Sequence, residues 1–127
     1  MLQKEVVDRL GAEPGGKDYG RLSVMVQWHC EVEPLFDVAP GAFTPPPKVH
    51  SAVVRVKPRA IPLATINDLA IFERVVRTAF SHRRKTLRNA LREMIDDMQL
   101  RASGVDPEVR PERLTVAQFA AIANQVS

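Results

Sequence analysis

A single cysteine, Cys30, in 127 residues leaves no partner for an intramolecular disulfide. A small stapled secreted scaffold is therefore excluded. No apolar run approaches the roughly 20 residues that a membrane-spanning helix needs, and none at the start resembles a secretory signal. A reducing, cytoplasmic setting with no membrane partner is the expectation. Several kinds of chemistry also lack their motifs. There is no Walker, GxSxG or glycine-rich dinucleotide pattern, and the Gly15-Gly16 pair has no strand-to-helix frame around it. His29, His50 and His82 are far apart and no second thiol lies near Cys30, so no metal-ligand spacing is present. Cys30 follows an apolar run that would bury it, which argues against a reactive nucleophile.

What remains is an ordinary globular composition. At 45% hydrophobic and 26% charged residues the chain can bury a core and is not disordered. Its net charge of +3 permits a polyanionic partner without requiring one. The position of the charge then matters more than its sum.

Along the chain, Val6, Val7 and Leu10 lie on one side of a short helix over 3–10 that stops at Gly11. After a polar, glycine-rich loop, Leu22, Val24, Met25, Val26 and Trp28 form a nearly continuous apolar run. It is read as a buried helix, although a buried strand has a similar pattern. Val32, Phe36 and Val38 suggest a strand whose first half Pro34 confines to an edge. Ala52, Val54 and Val56 alternate with Val53, Arg55 and Lys57 in a second strand closed by Pro58.

The period becomes helical after Pro62. Leu69, Phe72, Val76, Ala79 and Phe80 form one stripe opposite Asp68, Glu73, Arg74 and Arg77. Leu87, Leu91, Met94, Ile95 and Met98 predict a second helix. Gly104 and Asp106-Pro107 break the pattern, and Thr115 with Gln118 signals the capped start of a last helix burying Val116, Phe119, Ile122 and Val126. Residues 1–60 thus read as part of an α/β layer and 61–127 as a small helical domain.

Two features could carry function. In FTPPPKVHSAVV, residues 43–54, three prolines stiffen the chain between Phe43 and the second strand. The ring is either a core plug or a face pre-set for a flat ligand, and the residues alone leave both open. The second is Ser81-His82-Arg83-Arg84-Lys85 followed by Arg88 and Arg92. On one helix, positions 84, 88 and 92 would form a basic ridge suited to phosphates. The competing reading is a solvated face balanced by Glu93, Asp96 and Asp97.

The blocks MLQKEVVDRL, YGRLSVMVQ, FTPPPKVHSAVVRVKP and AFSHRRKTLRNAL, in that order and spacing, resemble the bacterial small-subunit ribosomal RNA adenine dimethyltransferases (KsgA family) over essentially the whole chain. The resemblance implies the carboxyl-terminal portion of a Rossmann-like methyltransferase sheet followed by a helical domain that docks on ribosomal RNA. Met1 resembles an internal residue of that family, so the glycine-rich S-adenosylmethionine loop and the motif that holds the target amine are expected to be absent. The methyl donor is then expected to bind the full-length enzyme and not this chain. By the same resemblance Phe43 stacks on the target adenine, while Arg83, Arg84, Lys85, Arg110 and, more weakly, Arg88 contact RNA phosphates. The implied partners are small-subunit ribosomal RNA and the assembling subunit. Self-association is expected from apolar surface that the missing half would cover. The alternative is a non-enzymatic RNA- or DNA-binding module.

Overall fold

The computed structural model describes residues 2–38 and 51–126. Phe43 and the three prolines after it lie outside the described residues.

Strand β1 (Leu2–Gln3) leads directly into helix α1 (Lys4–Leu10), and helix α2 (Arg21–His29) leads directly into strand β2 (Cys30–Val38). Strand β3 (Ser51–Pro58) lies between the other two in the order β1-β3-β2, antiparallel to both. A parallel pairing, which a Rossmann-like half leads one to expect, does not occur among the described strands. The β2–β3 register runs from Cys30 opposite Pro58 to Val38 opposite Ser51 and shifts by one residue between Pro34 and Phe36. Pro34 sits on the edge strand, as its missing donor requires, and the extra residue, Leu35, marks a bulge.

Polar side chains of α2 secure α1. Buried Ser23 donates to the Arg9 carbonyl, and the Gln27 amide donates to Leu10 O at 2.7 Å and Ala12 O at 2.9 Å. These acceptors lie at the end of α1, where helical carbonyls have no partner of their own. The last turn of α2 is served in the same way by the strap that follows β3. Arg59 N–H donates to His29 O, Leu63 N–H to Trp28 O, and the Trp28 indole donates to Ala64 O at 2.9 Å.

Helix α3 (Leu69–Ser81) begins at Asp68, whose carboxylate accepts from the Ala70 and Ile71 amides. It buries Phe72, Val75, Val76 and Ala79, whereas Leu69, placed on the stripe by periodicity, is 52% exposed. The second predicted helix is broken. Helix α4 (Leu87–Ala90) is a single turn, and helix α5 (Asp97–Ala102) starts afresh at Asp96. Asp96 accepts from Gln99 N–H at 2.8 Å while the Gln99 side chain accepts from Asp96 N–H. This reciprocal cap forces a new start, and Met98 turns outward. Gly104, at φ +79°, closes α5 in a Schellman turn: Val105 N–H reaches Leu100 O and Gly104 N–H reaches Arg101 O. Helix α6 (Val116–Val126) follows the Thr115–Gln118 box that the sequence signals.

One core spans both regions. Tyr19 and Val24 are buried in the same cluster as Phe72, Leu87, Leu100, Phe119 and Ile122, with Trp28 packed against it. The Trp28 and Phe72 rings lie 5.8 Å apart. Asn124 of α6 clasps the strap before α3 by donating to Thr65 O and accepting from Asn67 N–H. The outer hairpin is different, with Leu35, Phe36 and Val56 exposed, so along β3 Ala52 is buried, Val54 half-buried and Val56 exposed.

Tyr19 is wholly buried and its hydroxyl has no hydrogen-bond partner among the described residues. Removing an unsatisfied buried hydroxyl relieves a desolvation cost, so Tyr19→Phe is expected to raise stability by about 1 kcal/mol in urea unfolding. Burial also pushes the phenol well above its ordinary value. The unfolded chain gives up this proton near pH 10 while the folded chain keeps it. Stability present below that pH is therefore lost as pH rises, at about 1.4 kcal/mol per unit. This component of the loss should be missing from Tyr19→Phe.

Candidate nucleic-acid interface

The basic cluster lies in the turn between α3 and α4, and the structure sorts its members by what they already hold. Arg83 points back into the protein. Its guanidinium donates to Lys17 O at 2.8 Å and Gly16 O at 3.4 Å, and it lies 5.9 Å from the centre of the Phe80 ring. Arg88 bridges two carboxylates, with Nε donating to Asp97 at 2.7 Å and Nη1 paired with Glu108. These partners hold the Arg88 guanidinium in its charged form, with its pKa raised further. They also offset the positive charge that a phosphate would seek.

The expected ridge of Arg84, Arg88 and Arg92 does not form. Helix α4 comprises only residues 87–90, so Arg84 and Arg92 lie outside it. Asp96, one of the balancing charges of the competing reading, is exposed and also caps the start of α5.

Arg84, Lys85 and Arg110 are exposed, and none makes an ion pair or side-chain hydrogen bond among the described residues. Backbone bonds bring them into one neighbourhood. Leu87 N–H donates to Val109 O and Arg88 N–H to Pro107 O, tying the turn before Arg110 to the start of α4. Three of the five predicted RNA-contacting side chains thus present free cationic ends, and two are committed internally.

The structure also groups His82, Lys85 and Arg92 of the cluster with Arg74, Thr78 and Asn89, which the sequence reading does not mark. Arg74, Thr78 and His82 line one wall of a cleft, with Asn89 and Arg92 on the α4 side and Lys85 between them. The signal was present: 74 and 78 follow one face of α3, and 82, in the turn just beyond it, continues the four-residue interval. Arg74 was placed only as the polar side opposite the core. Among the described residues there is no grouping of three or more His, Cys, Asp or Glu that could hold a metal, and no helix long and apolar enough to cross a membrane.

Comparison with known proteins accounts for the whole chain. A family model described as ribosomal RNA adenine dimethylase matches residues 1–127. A ribosomal RNA small subunit methyltransferase A of Pseudomonas aeruginosa is 58% identical over all 127 residues, which cover 47% of that protein. The protein of the same name in Aromatoleum aromaticum is 56% identical, with 48% of its length covered. The chain therefore spans about half the length of these relatives. Among solved structures, a dimethyladenosine transferase from Plasmodium falciparum superposes with a TM-score of 0.74 at 23% identity, over 94% of this chain and 53% of that one. The 23S rRNA methyltransferase ErmE gives 0.68 at 23% identity, over 98% and 52%. These structural matches place the small antiparallel sheet and its helices in a methyltransferase fold. On the family match over all 127 residues, the chain belongs to the ribosomal RNA adenine dimethylase family.

Proposed function

We propose that this chain is the RNA-docking portion of an enzyme that transfers methyl groups from S-adenosylmethionine to two adjacent adenosines near the 3′ end of small-subunit ribosomal RNA. The observation that carries the docking role is the exposed, unpaired set of Arg84, Lys85 and Arg110 on one neighbourhood of the helical region. Guanidinium and ammonium groups with no internal partner are free to neutralise phosphates, which fixes position on an RNA without reading its sequence. The relatives' name, small subunit methyltransferase, supports the choice of RNA.

In this reading, residues 1–60 complete a Rossmann-like methyltransferase sheet. The strand pattern supports it, because β1 and β2 run in the same direction with β3 reversed between them, and doubly wound sheets often carry an antiparallel strand near one edge. Residues 61–127 form the docking region, sharing a core with α2. Phe43 is the proposed stacking face for the extruded adenine, which could recover about 1–3 kcal/mol of the cost of unstacking.

The described residues do not fit the methyl donor. Strand β1 passes into α1 through Gln3 with no glycine loop, and that helix start has no side-chain cap. No step through the donor is assigned to them. Leu22 of α2 and Leu35, Phe36 and Val56 of the hairpin are exposed, and these separate apolar side chains support self-association of the chain.

The test is binding to undermethylated small-subunit RNA across a salt series, with Arg84→Glu/Arg110→Glu as the variant. The chain should bind saturably and lose affinity with salt, and the variant should lower the log–log slope by roughly 1.5. Equal slopes would sink the docking assignment. The chain alone should incorporate no labelled methyl groups.

A further inference from the structure

The cleft between α3 and α4 encloses about 600 Å³. Its α3 wall carries Arg74 and Thr78 and continues through His82 in the turn. The opposite side carries Asn89 and Arg92, with Lys85 at the junction. Apart from Thr78, which is half-buried, these side chains are exposed. None of the six makes a side-chain hydrogen bond or ion pair among the described residues, although cationic side chains elsewhere in the fold, such as Arg21, Arg83 and Arg88, are satisfied internally. Glu93 is the one carboxylate on the lining.

We propose that this cleft is an RNA-backbone clamp, joined through Lys85 to the exposed patch of Arg84, Lys85 and Arg110, in which Arg74 and Arg92 hold phosphates from its two sides. The proposal rests on the reading that the chain docks on ribosomal RNA. It adds the place where the strand is gripped and joins Arg74, which the basic-cluster pattern does not include, to Arg92, which it does.

Two planar guanidiniums can each present paired donors to phosphate oxygens, a geometry that a single exposed lysine does not offer. Two walls also constrain the path of the backbone, where an open patch would supply only attraction. Thr78 and Asn89 on the same lining add neutral donors and acceptors of the kind that a ribose hydroxyl pairs with. Glu93 opposes binding and limits the affinity for any polyanion.

The experiment compares the full 127-residue chain with Arg74→Gln/Arg92→Gln and, separately, with Glu93→Gln, using a short single-stranded RNA in a salt titration. Loss of two phosphate contacts should lower the log–log slope by about 1.4, equivalent to roughly 25-fold weaker binding at 0.1 M salt relative to 1 M. Glu93→Gln should tighten binding, an outcome that a misfolded protein would not give. Thermal unfolding of all variants should match the parent, because the altered side chains hold no internal partner. Parent binding with an unchanged slope in the double variant would overturn the clamp and leave RNA docking intact. No RNA binding by the parent would overturn both.

Discussion

Replacing Phe72 by alanine is expected to destabilise the chain by about 3–5 kcal/mol, the usual cost of emptying an aromatic site in a packed core. Against a total stability of about 5–15 kcal/mol for a domain of this kind, the variant would retain little margin. Phe72 has no exposed surface and joins the two regions of the fold, since its ring meets Trp28 of α2 on one side while its neighbours on α3 face α6. The loss should therefore be felt on both sides of residue 60. Trp28 is the single tryptophan, so its fluorescence reports the junction while far-UV circular dichroism reports the helices. In a urea titration both signals should shift together to a lower midpoint with one transition. Separate transitions, with only the helical signal moved, would mean that the sheet region has a core of its own.

That shared core could be anticipated only in part from the sequence. Periodicity identified α1, α3 and α6, because one face of each carries apolar residues at helical spacing, whereas α2 was read from a nearly continuous apolar run whose pattern a buried strand shares. It also identified the Thr115–Gln118 cap, a local signal contained within four residues. The same local rule was available at Asp96–Gln99. There the regular spacing of Leu87, Leu91, Met94, Ile95 and Met98 suggested a continuous helix, and Asp96 was assigned to surface charge. Helix α4 closes at Ala90, the cap starts α5 separately at Asp96, and the basic ridge built on one continuous helix does not form.

Charge raised a different difficulty. The sequence identifies Arg83, Arg84, Lys85, Arg88 and Arg110 as cations but does not say which of them already have partners. The Arg83 acceptors lie 66 and 67 positions away in the chain, at Lys17 and Gly16. The Arg88 carboxylates come from separate turns, at Asp97 and Glu108. Such pairings arise from tertiary packing, beyond the reach of i, i+4 patterns. Free cations become recognisable only after the satisfied ones have been removed, and this removal shifts attention from the expected ridge toward Arg84, Arg110 and the cleft of Arg74 and Arg92. Phe43, the residue most clearly marked by its proline context, lies outside the described residues, so its role remains part of the proposed function.

Arg83→Ala is expected to cost about 2 kcal/mol in folding stability, whereas Arg84→Ala should stay within about 0.5 kcal/mol of the parent. The difference follows from what each side chain touches. Arg83 donates a charged hydrogen bond of 2.8 Å to Lys17 O, reaches Gly16 O, and packs against Phe80, which in turn contacts Tyr19 and Phe119 in the core. Its removal leaves Lys17 O without its partner, while Gly16 O keeps the Tyr19 N–H, and uncovers one side of the Phe80 ring. The hydrogen bond supplies most of the effect, and the cation–ring contact, near the outer limit of about 6 Å, adds less. Lysine should recover only part of the loss, because an ammonium cannot lie flat on the ring while reaching both carbonyls. Thermal unfolding of Arg83→Ala, Arg83→Lys and Arg84→Ala, read beside RNA binding, separates the roles. If Arg83→Ala weakens RNA binding while leaving unfolding unchanged, Arg83 is an RNA contact and the internal latch is wrong. A lower melting point with the salt slope retained would establish that the first arginine of the cluster holds the loop, leaving Arg84 and Lys85 free to face the phosphates.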